Sequence, residues 1–175
     1  MSERNPRVST RRGDDGTTTL LGSGRLSKAD ARIALLGEID EASAFIGLAR
    51  AEAGEGELNE LLLGLQRLMY RIMGDVAMPE EPNQVAGADV RALDGRLEEL
   101  KARTALPREF VVPGETKLGA HLDVARAVVR RAERAAVAAG LPEAHPEALK
   151  ALNRLSDVLF VAARRADGRY SLSRE

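Results

Sequence analysis

The chain has 175 residues, a net charge of -1 and 30% charged residues. That length supports one domain with a substantial core, and so even a charge balance excludes a general attraction to nucleic acid or anionic lipid. There is no cysteine and no tryptophan, and only two histidines, His121 and His145, stand far apart in sequence. This excludes disulfides, thiolate metal sites and cysteine nucleophiles and leaves no histidine pair for a metal.

Aromatic residues make up 3% of the chain, too few for a base-stacking platform. No apolar run approaches the roughly 18 residues of a membrane span. The first residues, MSERNPRVSTRRGDDG, lack a hydrophobic signal core. The expectation is a soluble, cytoplasmic protein.

Residues 1–28 are rich in Gly, Ser, Thr and Arg and read as an extended segment. Ser27 or Asp30 can cap the helix that follows. In that helix Ile33, Leu36, Asp40, Ala44 and Gly47 fall on one face at helical spacing and predict its buried side. Gly54 and Gly56 end it. A second helix runs through ELNELLLGLQRLMYRIMGDVAM to Pro79, EEPNQVAG turns, and ADVRALDGRLEELKAR forms a weaker third. Residues 104–116, TALPREFVVPGET, read as an ordered loop bounded by prolines. Helices four and five follow, broken by GLPEAHP, and residues 167–175 read as a frayed tail. The predicted fold is all-α, a five-helix antiparallel bundle over residues 29–166 behind an extended N-terminal segment.

Four places carry chemistry. In GDDGTTTLLGSGR, Gly13, Gly16, Gly22 and Gly24 permit tight turns with exposed N–H groups. Thr17, Thr18 and Thr19 add hydroxyls, and Arg11, Arg12, Arg25 and Lys28 add cations. Such a combination suits phosphate oxygens, although GxxxxGK[ST] is absent. Pattern alone favours a flexible, polar arm.

Asp40, placed on the predicted apolar stripe, requires a partner, because an unpaired buried carboxylate costs several kcal/mol. Arg126 is the arginine nearest the stripe of helix four, and a structural ion pair is as compatible with the pattern as a site. On helix four, Leu118, Leu122, Ala125, Val129, Ala132 and Ala136 make the core face. Arg126, Arg130 and Arg134 run beside it, with Glu133 offsetting part of their charge. Successive arginines on one flank suit a triphosphate, and Arg131 and Arg134 equally fit a charged outer face. On helix five, Leu152, Leu155, Leu159 and Ala162 make the core stripe, while Asn153, Asp157 and Phe160 share a flank.

These blocks, in this order, resemble the PduO-type ATP:cob(I)alamin adenosyltransferases. The resemblance rests on Thr10-Arg11-Arg12-Gly13-Asp14-Asp15-Gly16-Thr17-Thr18, on Arg25 to Lys28, on Gly37 to Glu41, and on Gln66, Tyr70, Asp75, Ala77 and Pro79. It continues through Phe110 to Gly114, Val124 to Arg134, and Leu152 to Phe160. Arg12, Leu36, Glu115 and Asp123 depart from the pattern.

The resemblance implies transfer of the 5′-deoxyadenosyl group of ATP to cob(I)alamin in a homotrimer with intersubunit sites. Thr10, Arg11, Arg12, Gly13, Thr18, Thr19, Lys28, Arg130, Glu133, Arg134 and Asn153 are then the ATP-binding residues. Mg2+ is carried by the ATP phosphates, with Asn153 its one candidate protein contact. Asp40 and Arg126 fix the geometry of the site, and Phe110 presses on the lower corrin face. From the residues alone, Phe110 is a loop anchor. A reductase and an adenosylcobalamin-dependent mutase are the protein partners such a reaction implies.

Overall fold

The computed structural model describes residue 9, residues 11–21 and residues 24–174. Thr10 and Gly22 lie outside these. The chain is mostly helical. A hairpin of β1 (Thr17–Thr19) and β2 (Arg25–Ser27) precedes α1 (Ala31–Ala53), α2 (Glu57–Ala77) and α3 (Gly87–Ala102). Then come β3 (Val111–Val112), α4 (Lys117–Ala138), the four-residue α5 (Leu141–Ala144), α6 (Pro146–Asp167) and β4 (Ser171–Leu172). The break at GLPEAHP therefore contains one helical turn.

Asp30 caps α1, its carboxylate accepting from the Arg32 N–H at 2.9 Å, and Gly54 ends the helix at φ 65°, a conformation glycine adopts without strain. The chain turns back into α2, which packs on α1. Gln66 joins the two, donating to the Ser43 carbonyl and accepting from Arg50, both at 2.9 Å. Asp75, buried near the end of α2, accepts from the backbone N–H groups of Gln84 (2.6 Å) and Val85 (3.2 Å). It thereby fixes the turn into α3.

Helix α4 packs against both α1 and α6, and α3 packs on α6. Leu122, Ala125, Val129, Ala132 and Ala136 of α4 and Leu152, Leu155, Leu159 and Ala162 of α6 are buried, as their spacing predicts. Each large aliphatic side chain so buried stabilises the fold by about 1.5–3 kcal/mol.

The face of α1 differs from expectation. The buried stripe is Leu35, Ile39, Ala42, Ile46 and Ala49, and Asp40 and Ala44 are exposed. Aliphatic residues stand on both sides of this helix, and the more continuous row won. A solvated Asp40 keeps its hydration and needs no buried cation.

Within the N-terminal segment two short extended strands form a hairpin, Thr17 to Thr19 pairing antiparallel with Ser27 to Arg25. The tail is not frayed over its length. Ser171 and Leu172 pair antiparallel with Val112 and Val111, and the Ser173 N–H donates to the Phe110 carbonyl at 2.8 Å.

Candidate active site

The hairpin is organised by Asp15. Its carboxylate accepts from the Thr17 N–H (3.1 Å), the Thr17 hydroxyl (2.8 Å) and the Arg25 guanidinium (2.8 Å). The Thr17 hydrogen bonds, then the Arg25 charge, hold this carboxyl below its ordinary value. Arg25 also donates to the Arg12 carbonyl at 2.8 Å. Arg25 is thus spent on holding the loop, while Thr18 and Thr19 lie on β1. A Cβ on Gly13 would stand 3.1 Å from the Lys28 ammonium. Glycine there lets Lys28 fold close over the loop, and the Lys28 N–H donates to the Gly16 carbonyl at 2.9 Å. Arg11, at φ 58°, turns the backbone just before Arg12 and Gly13.

A second group lies where α4 meets α6. Asn153 donates to Glu133 at 2.9 Å and accepts from Arg154 at 2.7 Å, and Arg154 in turn binds Asp94. Arg130 and Arg134 are exposed beside this pair, with Arg134 donating to the Arg130 carbonyl at 3.1 Å. Arg131 points the other way and bridges Glu38 and Glu41 of α1. The Glu38 and Glu41 carboxylates raise its affinity for its proton. Glu41 is therefore paired, and Arg131 is a helix-to-helix tie.

The third place surrounds Phe110. Its ring is 88% exposed and stands at a cavity of about 750 Å³ whose wall includes Arg126, Phe160 and Arg164. Below it lies a buried ionic network. Arg164 binds Asp123 and, at 3.0 Å, Asp167. Its guanidinium also sits 5.5 Å from the Phe160 ring centroid, within cation–π range. Asp167 accepts from the Thr116 N–H (3.1 Å) and hydroxyl (2.9 Å). Thr116 caps α4 by accepting from the Gly119 N–H at 2.9 Å.

The expected pairing of Arg126 with Asp40 is absent. Arg126 instead meets Asp123, one turn back on its own helix, at 3.4 Å. The physical reason is the rotation of α1, which takes Asp40 to the surface, while Asp123 is buried beside Arg126.

The family resemblance puts Glu133 and Asn153 in one group, and they touch. Sequence reasoning missed Asp123, Arg164 and Asp167 as a unit. The available signal was the Asp123/Arg126 and Arg164/Asp167 spacing of three, which places each pair on one helix face. Glu115 stands out in the sequence as a departure from the family pattern, but its partners do not: its carboxylate accepts from the Ser171 hydroxyl at 2.6 Å and from Arg169 at 3.2 Å. These contacts latch the tail to the Phe110 loop.

The sequence profile of the cobalamin adenosyltransferase family matches residues 8–166. The chain belongs to that family. It is 39% identical over 173 residues to a corrinoid adenosyltransferase of Mycobacterium tuberculosis, covering 92% of this chain and 89% of the relative. It is likewise 39% identical over 168 residues to a cobalamin adenosyltransferase of Cupriavidus metallidurans, covering 94% and 90%.

Among solved structures, it resembles a variant of the PduO-type ATP:corrinoid adenosyltransferase from Lactobacillus reuteri complexed with cobalamin and ATP. The TM-score is 0.85 at 28% identity, covering 97% of this chain and 100% of that one. Another variant of that enzyme, complexed with ATP, gives a TM-score of 0.86 at 29% identity, covering 95% and 100%. The chain is accordingly an enzyme of the PduO-type adenosyltransferases, a transferase. No helix among the described residues is long and apolar enough to cross a membrane.

Proposed function

We propose that this enzyme transfers the 5′-deoxyadenosyl group of ATP to cob(I)alamin. Co(I) supplies the electron pair and attacks C5′. The Co–C bond forms, the C5′–O bond breaks, triphosphate leaves, and cobalt ends formally as Co(III). The observation that carries this reading is the near full-length likeness to an enzyme solved with cobalamin and ATP, joined to an exposed phenylalanine standing over an arginine-walled cavity.

Because the metal of the corrinoid is the nucleophile, the chain supplies no nucleophile of its own. Its work is orientation and charge. Holding C5′ in line with cobalt is worth up to about 7–11 kcal/mol. On this reading Thr10, Arg11, Arg12, Gly13, Thr18, Thr19 and Lys28 hold one side of ATP, with Asp15 and Arg25 keeping their loop in shape. Arg130 and Arg134 meet the departing triphosphate, where preorganised cations act on developing charge. Their mutual repulsion on the free helix is small, and a bound polyanion would relieve it.

Glu133 and Asn153 orient each other beside them. The Asn153 oxygen accepts from Arg154 and its nitrogen donates to Glu133; Mg2+ arrives on the phosphates of Mg-ATP, and the second lone pair of that oxygen is the one protein contact open to it. Among the described residues, no three acidic or histidine side chains gather as a metal site.

Phe110 would press on the lower face of the corrin and displace its axial base, which makes Co(II) easier to reduce. Asp40, exposed on α1, is free to meet Arg126 of a second copy. The homotrimer with intersubunit sites is the assembly that uses it. The active enzyme would work in the cytoplasm, fed by a reductase and drained by a mutase that consumes adenosylcobalamin.

Phosphorus NMR of the reaction products tests the bond that breaks. Intact triphosphate is the expected product. ADP with inorganic phosphate would place the attack on phosphorus and overturn the reading.

A further inference from the structure

The cavity at Phe110 holds more positive charge than its catalytic reading uses. Four guanidiniums line it, those of Arg108, Arg126, Arg164 and Arg174. Arg126 and Arg164 are answered from below by the buried Asp123 and Asp167. Arg108 and Arg174 are exposed, and among the described residues neither has an ion pair. The one carboxylate on the wall, Glu109, is also exposed.

These two arginines flank Phe110 from different parts of the chain. Arg108 lies two residues before it. Arg174 follows Ser173, whose N–H binds the Phe110 carbonyl at 2.8 Å. The tail that carries Arg174 is fixed by the β3–β4 pairing and by the Glu115 contacts to Ser171 and Arg169. Arg108 and Arg174 thus line the same cavity as Phe110, and the segment leading to Arg174 is held there by backbone pairing.

We propose that Arg108 and Arg174 form a subsite for the phosphodiester in the nucleotide tail of the corrinoid substrate. This rests on the reading that Phe110 displaces the axial base. A base pushed off the lower face must carry its ribose and phosphodiester out through that cavity, whose wall includes both guanidiniums. A guanidinium fork matches two phosphate oxygens. The subsite makes the enzyme favour complete corrinoids over those lacking the nucleotide tail. The tail residues become a substrate-recognition element rather than an ornament on the bundle.

The competing source of a phosphate oxygen is ATP or the triphosphate product. Steady-state KM values for cobalamin, for cobinamide (which lacks the nucleotide tail) and for ATP separate the two. The wild-type enzyme should favour cobalamin over cobinamide by about tenfold, the scale of one charge-assisted hydrogen bond at an exposed site. Arg108→Ala with Arg174→Ala should abolish that preference, and Arg174→Lys, which keeps the charge, should retain part of it. An unchanged cobalamin-to-cobinamide ratio in the double variant would overturn the subsite. So would a raised KM for ATP at an unchanged ratio, since the phosphate would then be that of the nucleotide. Failure of the wild type to adenosylate either corrinoid would instead overturn the functional reading beneath it.

Discussion

The N-terminal hairpin and the floor of the Phe110 cavity are both built on an arginine bound to carboxylates, yet they differ in what those ions do. Asp15 and Arg25 are exposed, at 62% and 47% of their side chains. Arg164, Asp123 and Asp167 are 2%, 5% and 0% exposed. Water screens the first pair, so its contribution to global stability is small and its effect is to shape a loop. The second group has exchanged its hydration for mutual contact, and removing one member strands the others. The same chemistry serves shape in one region and integrity in the other.

The largest effect should come from Arg164→Ala, which leaves Asp123 and Asp167 buried without their shared cation. Loss of a buried partner costs roughly 3–5 kcal/mol. Thermal unfolding should then shift down by roughly 10 °C for a chain of this size. A shift within error would show that the network contributes nothing to the folded state. Next is Gly119→Ala. A Cβ there would overlap the Asp167 carboxylate, and such overpacking costs about 1–3 kcal/mol. Denaturant unfolding measures it, and an unperturbed midpoint would show that α4 and α6 separate without penalty.

A smaller, local effect is expected at Glu115. Its hydrogen bond from Ser171, then the Arg169 charge, holds its carboxyl below the ordinary 4.5. The contact it makes is therefore fully present above that value and lost as pH falls through the lowered one. The exchange protection of the amides of residues 171–173, taken relative to intrinsic rates at each pH, should fall in acid before that of α4 and α6. A simultaneous fall would mean that the latch does not titrate separately. The smallest stability change belongs to Asp15→Ala, which should leave melting unaltered while raising the KM for ATP. A clear loss of melting temperature with normal ATP kinetics would reverse the comparison between the two regions.

How much of this was legible in the sequence follows the same divide. On α4 and α6 one row of aliphatic residues runs beside arginines and carboxylates, so the period selects a single face. On α1, Leu35, Ile39 and Ile46 compete with Ile33, Leu36 and Ala44, and the period does not choose between them. The choice was made by packing against α4 and α2, and it moved Asp40 to the surface. The β3 and β4 strands are two residues each, too short to carry an alternation. Their pairing depends on where α6 ends, which the local sequence does not reveal. Glu133 and Asn153 were brought together only by the family resemblance, since the stripes place each beside a core face without pairing the two helices. The Arg164 network was not legible, because its charges are interleaved with alanines that read simply as core.

One anaerobic measurement decides whether the protein adenosylates cobalamin. Purified protein, Mg-ATP and chemically reduced cobalamin are mixed, and the visible spectrum is followed. Cob(I)alamin should convert to adenosylcobalamin only when both protein and ATP are present. Cob(I)alamin that persists while ATP is bound would rule out the adenosyl transfer.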